Sequence, residues 1–175
     1  KGALSKKIKR LSTIRRNSEM LIAKAFGYGK KLAEDNKSIE DLENKADGNA
    51  QVIKKAVSME DDSRAKLRKY IANNEQKLGP EGLKLATKAK QGAVYVATEA
   101  FKMATNTVAL APGSGSLIGG ALAGLKAAER ARSLSCQLNE AIVTYTKKKS
   151  LTLKAEDLNA DPGLMEKLSQ EGGAS

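Results

Sequence analysis

Apolar residues recur along this chain at steps of three and four, the period that lines one face of an α-helix. Leu4, Ile8, Leu11, Ile14, Ser18, Leu21/Ile22, Ala25, Leu32, Ile39 and Leu42 form a nearly continuous stripe. Gly27-Tyr28-Gly29 interrupts it. Two glycines weaken a helix by about 2 kcal/mol relative to Ala, so a kink, a close approach or a break is expected there. Asn36-Lys37-Ser38 followed by Asp41 resembles a fresh helix N-cap, and Asp47-Gly48-Asn49 reads as a turn. Val52, Ile53, Ala56 and Val57 give a short second apolar face. Glu60-Asp61-Asp62-Ser63 reads as an acidic helix start, because carboxylates are favoured at the positive end of the helix dipole. Leu67, Tyr70, Ile71 and Leu78 follow on one stripe.

Leu78-Gly79-Pro80-Glu81-Gly82 closes that segment. An Ala-rich helix is predicted from about Glu81 to Leu110, with Leu85, Ala89, Val96, Ala100, Met103 and Val108 on its core side. Ala111-Pro112-Gly113-Ser114-Gly115-Ser116 is a loop. The next helix, Leu117 to about Lys149, carries Ala121, Leu125, Ala128, Ala131, Leu134, Leu138, Ile142 and Tyr145. Asp161-Pro162 opens a final short helix ending before Gly172, and a disordered tail is expected after it. No stretch alternates with the strand period of two, and no internal repeat is found. The expected fold is therefore all-α, an elongated antiparallel bundle of three to four long helices plus short helices. Residues 1–160 are expected to form the helical bundle domain, and residues 161–175 a short helix and disordered tail.

Composition agrees with this reading. Apolar residues make up 41% of the 175, enough for one domain with a modest core, and aromatics only 3%. Ala, Leu, Ile and Val must fill the interior, which suits closely packed helices better than a β-sandwich. With no His there is no imidazole base, no Ser-His pair and no His metal ligand. The single Cys136 makes neither an intramolecular disulfide nor a Cys-rich zinc site, and is read as a buried inert thiol. Gly113-Ser114-Gly115-Ser116 precedes a helix but lacks the Lys and spacing of a P-loop. No catalytic, cofactor-binding or metal-binding set emerges, so a non-enzyme without cofactors is expected. The chain opens on Lys1 with no signal-peptide h-region after it, as expected of a segment of a longer protein.

Charge changes the picture most. The chain carries +11 with pI ≈ 9.7, which points to acidic proteins, phosphates or anionic membranes as partners. Residues 1–31 hold ten Lys/Arg against Glu19 alone, whereas residues 32–62 hold four Lys against nine acids. Residues 63–150 are basic again, and 151–175 are acidic on balance. Lys6, Lys7, Lys9, Arg10, Arg15 and Arg16, with Arg130 and Arg132, are the candidate partner-binding residues, acting by charge. Few aromatics interleave with these cations and no zinc-finger or RNP-like motif occurs, so any nucleic-acid binding is expected to be non-specific. The uncharged run Met103–Leu125 contains Gly120 and Gly124 in a small-xxx-small pattern. Pro112 and the many glycines and alanines within it favour close packing of two soluble helices over a membrane span.

Two stretches carry a further signal. Within Asn17–Leu42, Glu19, Ile22, Phe26-Gly27, Leu32 and Ile39 form an apolar-aromatic-Gly step followed by spaced Leu and Ile. Pro112–Tyr145 reads Pro-x-Ser-x-Ser-x-x-Gly-Gly-x-Leu-Ala-Gly, then Glu129-Arg130, Leu138, Ala141-Ile142 and Tyr145. Together they resemble the Bep intracellular delivery (BID) domain of bacterial type IV secretion substrates, over about a third of the chain. The resemblance implies a four-helix bundle with basic zones around an acidic patch. It implies a secretion signal that docks on the coupling ATPase of the translocation machine, in effectors or conjugative relaxases. The acidic balance of residues 151–175 departs from the basic tail with which that family's signal commonly ends. Leu122, Gly124, Leu138, Ile142 and Tyr145 would then be structural. A monomer in the bacterial cytoplasm before export, delivered into a recipient or host cell, is the expectation. The alternative is a membrane-active or toxin-associated helical domain that finds anionic lipid through its basic N-terminus and inserts near residues 108–125.

Overall fold

The break expected at Gly27-Tyr28-Gly29 marks the first helix boundary. The computed structural model describes residues 2–109, 115–148 and 161–170, with side chains described for 6–105, 126–145 and 161–170. Helix α1 spans Gly2–Ala25 and α2 spans Gly29–Ala46. Gly27 takes a φ of 79°, a left-handed conformation that costs glycine little. The Tyr28 N–H then reaches back to the Ala23 carbonyl at 2.7 Å and the Gly27 N–H to Lys24 at 3.2 Å. This is the paired bonding of a Schellman ending, which satisfies the last carbonyls of α1.

Asp47 and Gly48, with φ of 44° and 78°, turn the chain into α3, Ala50–Asn73. Asn49 caps that helix, its side-chain oxygen accepting from the N–H groups of Gln51 at 3.0 Å and Val52 at 3.4 Å. A 3-10 turn at Glu75–Lys77 leads to α4, Pro80–Ala109, which begins on a proline whose missing N–H costs nothing there. Helix α5 spans Gly115–Lys148 and α6 spans Pro162–Ser169. Asp161 caps α6 through the Gly163 N–H at 2.9 Å.

Among the described residues there is no strand, and the fold is all-α, a helical bundle. Two expected helix starts are corrected. Helix α2 runs unbroken through Asn36-Lys37-Ser38, and α3 through Glu60-Asp61-Asp62-Ser63. The polar residues that looked like caps are spent elsewhere: Ser63 donates to Asp35 and Arg64 to Asn36, across the α2–α3 pair. The loop expected over 111–116 is corrected at its end, where Gly115 and Ser116 already belong to α5; residues 111–114, the tail at 172–175 and the side chains of Leu4, Val108, Ala121, Leu122, Gly124 and Leu125 lie outside the described residues.

The chain divides into two compact units, Lys1–Glu19 with Thr87–Ser175, and Met20–Ala86, so α1 and α4 contribute to both. In the first unit the core comprises Leu11 and Ile14 of α1, Ala89, Ala93, Val96 and Ala100 of α4, and Met165 and Leu168 of α6. Helix α5 adds Ala128, Ala131, Leu134, Leu138, Ile142 and Tyr145 at helical spacing, as the sequence pattern predicts. Small residues on α4 let helices approach. At Gly92 a β-carbon would run into the Ser18 hydroxyl and stand 3.2 Å from Leu168. In the second unit Ile22, Phe26, Leu32, Ile39, Leu67 and Ile71 are buried, each contributing about 1.5–3 kcal/mol by removal from water. Ile53 is 45% exposed, so the short apolar face of α3 falls to Ala56 and its half-buried neighbours Val52 and Val57. Cys136 is partly exposed rather than buried.

Candidate interaction surface

Steps of three and four along α1 bring Lys6, Lys9 and Arg10 to one side, and all three, with Lys7, are exposed. Arg10 spends its guanidinium on the neighbouring helices. Nη1 donates to the Tyr95 hydroxyl of α4 at 3.4 Å, and Nη2 lies 3.5 Å from the Glu166 carboxylate of α6. Asn17, further along α1, donates its side-chain N–H to the carbonyls of Leu168 and, at 3.3 Å, Gln170. Asn17, Tyr95 and Glu166 were not singled out from the sequence. The legible signal was Asp161-Pro162 with Met165 and Leu168 three apart, which marks a short amphipathic helix but not its seat.

Arg15 does not belong to the surface set. It is 3% exposed, and its Nη1 donates to Glu19 at 2.9 Å, with both side chains inside the first unit. One helical turn from Leu11, it points with the core stripe, and the local density of cations in the sequence hid that difference. Arg16 is half-buried. On α5, Arg130 is half-buried and Arg132 grips Glu129 with two bonds, Nε to Oε2 at 3.0 Å and Nη2 to Oε1 at 2.6 Å. The Arg132 bond holds the Glu129 carboxyl below its ordinary range. Arg130 and Arg132 are two residues apart, roughly 200° around a helix, so they do not form one contact. The contiguous basic surface is therefore Lys6, Lys7, Lys9 and Arg10.

The second unit turns several of its charges inward. Asp35 accepts from Lys31 Nζ at 2.9 Å and Ser63 Oγ at 2.8 Å. Burial alone would raise its carboxyl pKa, but those two bonds and the charges of Lys31 and Arg64 outweigh it and hold the group below its ordinary value. Arg64, 2% exposed, donates to Asn36 at 2.7 Å and lies 3.7 Å from the buried Glu60. Tyr28 and Tyr70 pack against each other with ring centroids 4.6 Å apart and planes tilted by 41°, and Lys77 donates to the Tyr70 hydroxyl at 2.7 Å. Burial, then the Asp35 charge, raises the Tyr28 hydroxyl pKa. These groups bind one another, an arrangement that locks α2 to α3.

Among the described residues no group of three or more His, Cys, Asp or Glu is placed to hold a metal ion. None of the described helices is long and apolar enough to cross a membrane. The class defined by these features is an all-helical bundle with an exposed basic segment on its first helix. Compared with protein-family models, curated proteins and solved structures, the chain matches none.

Proposed function

We propose that this bundle is a non-catalytic translocation-signal module, which directs its parent protein to a bacterial type IV secretion machine by docking on the coupling ATPase. The observation that carries the docking is the exposed basic segment Lys6, Lys7, Lys9 and Arg10, four cations within five residues of one helix. The likeness of Asn17–Leu42 and Pro112–Tyr145 to the BID domain supplies the secretion machine as receptor. Clustered lysines raise the encounter rate with an acidic protein surface and set its orientation, while contributing less to final affinity. Arg15 takes no part, being committed to Glu19. The module acts as a monomer without a cofactor, in the bacterial cytoplasm before export and in the recipient or host cell after it. Binding of nucleic acid or anionic lipid through the same charges is non-specific and is lost at moderate salt.

Deleting this segment from its parent protein and measuring transfer into recipient cells tests the proposal. Transfer is expected to fall to background. Undiminished transfer would sink the reading.

A further inference from the structure

The three contacts that seat α6 are all of a kind that another helix can reproduce. Met165 and Leu168, three residues apart, are 2% and 3% exposed. Leu168 lies over Gly92, where the missing β-carbon leaves a flat place on α4. Asn17 recognises only main-chain carbonyls, those of Leu168 and Gln170 at the end of α6. Arg10, fixed by the Tyr95 hydroxyl, takes the Glu166 carboxylate. The seat therefore reads an apolar pair, a helix C-terminus and one acid.

The occupant is held by two buried side chains but has little helical stability of its own. Helix α6 has eight residues, well short of the roughly 12–15 at which an isolated helix becomes even marginal in water, so it depends on its seat for its shape. Its ion pair is exposed, 43% on Arg10 and 68% on Glu166, where such pairs contribute little. Thirteen residues, 149–161, separate it in sequence from α5. Lys6 and Lys9 stand on α1 one turn before Arg10 or beside it, so the approach to the seat is basic.

We propose that the face of α1 and α4 beneath α6 is a docking site for a short acidic amphipathic helix of a partner protein, with α6 as the resident competitor. The proposal rests on the docking reading above for the acidic character of the partner. It adds where on the module that partner binds and what must leave first. Because α6 is tethered, it competes at the effective concentration its linker sets, and a partner helix must displace it.

The test uses the full chain and a fluorescein-labelled peptide with the sequence of residues 161–170, read by fluorescence anisotropy. Met165→Ser with Leu168→Ser releases α6 without changing charge. This variant is expected to bind the peptide about tenfold tighter than the unaltered chain, because the internal competitor is gone. Adding Arg10→Glu should reverse about two- to threefold of that gain, and a peptide with Lys in place of its Glu should bind the Arg10 chain more weakly by about the same factor. Glu166→Gln, at an exposed position that leaves the fold alone, should give a smaller gain of about two- to threefold. It decides the matter if the double variant loses helicity by circular dichroism beyond the eight residues of α6. Equal peptide affinity for the unaltered chain and the variants overturns the proposal, as does binding indifferent to Arg10→Glu. No secretion component enters this assay. A seat that fails the peptide test leaves the export reading standing, and a chain that fails to support transfer leaves the seat standing.

Discussion

Replacing Arg15 with Leu removes a guanidinium that donates to Glu19 at 2.9 Å, in a place where the two side chains are only 4% and 2% exposed. The carboxylate stays inside the first unit and loses the guanidinium that lies 2.9 Å from it. Breaking one partner of a buried ion pair costs about 3–5 kcal/mol, because the cost of desolvating the remaining charge is less fully offset. Against a total stability of roughly 5–15 kcal/mol that is a large share, and a loss of about 10 °C in melting temperature follows for a chain this size. Urea unfolding followed by far-UV circular dichroism reads it directly. Lys7→Leu and Lys9→Leu, equal in charge change but at exposed positions, should stay within about 0.5 kcal/mol of the unaltered chain. Arg15→Met with Glu19→Leu removes both charges at similar volume and should recover most of the loss. If Arg15→Leu proves as mild as Lys9→Leu, or if the double variant is no better than the single one, Arg15 is a surface residue and the reasoning is wrong.

Gly92→Ala places a β-carbon against Ser18, whose hydroxyl is held by the Ile14 carbonyl at 2.8 Å, and 3.2 Å from Leu168. Overpacking costs about 1–3 kcal/mol and better helix propensity returns about 1, so a net loss of up to about 2 kcal/mol is expected by urea unfolding, partly recovered by adding Ser18→Ala. Asn49→Ala leaves the Gln51 and Val52 N–H groups without their acceptor and should cost about 1 kcal/mol, with Asn49→Asp tolerated, as read from thermal melts. Asp35 has a folded-state pKa below its ordinary 3.8, so it contributes stability that is fully present above that ordinary value and is lost as the pH falls through the depressed one. The stability difference between the unaltered chain and Asp35→Asn, measured by urea midpoint across acid pH, should therefore shrink to nothing at the low end; a difference that persists there contradicts the assignment.

Helix existence was legible because the apolar period runs through every long segment, and α5 shows this best: Ala128, Ala131, Leu134, Leu138, Ile142 and Tyr145 are all buried as their spacing requires. Boundaries were legible where backbone geometry demands a particular residue, at Gly27 and at Gly48-Asn49. They were misread at Asn36-Lys37-Ser38 and Glu60–Ser63, because a polar cluster suited to capping is equally suited to bonding a neighbouring helix, and only tertiary packing chooses. The same ambiguity misplaced Arg15. Composition counts a buried and an exposed arginine alike, and the difference is a rotation of α1 that a dense run of cations conceals. The seat of α6 was not legible at all, since its parts, Arg10, Asn17, Gly92 and Tyr95, meet only after α1 and α4 pack.

The most direct measurement of the central claim is transfer of a reporter enzyme fused to residues 1–175, from donor cells that carry a type IV secretion machine into recipient cells. Lys6→Glu, Lys7→Glu and Lys9→Glu together alter exposed side chains and leave the Arg15–Glu19 pair in place. The account predicts that this variant, folded as the unaltered module is, transfers the reporter at least about tenfold less, because repulsion replaces attraction at the acidic receptor. Transfer equal to that of the unaltered module would contradict it.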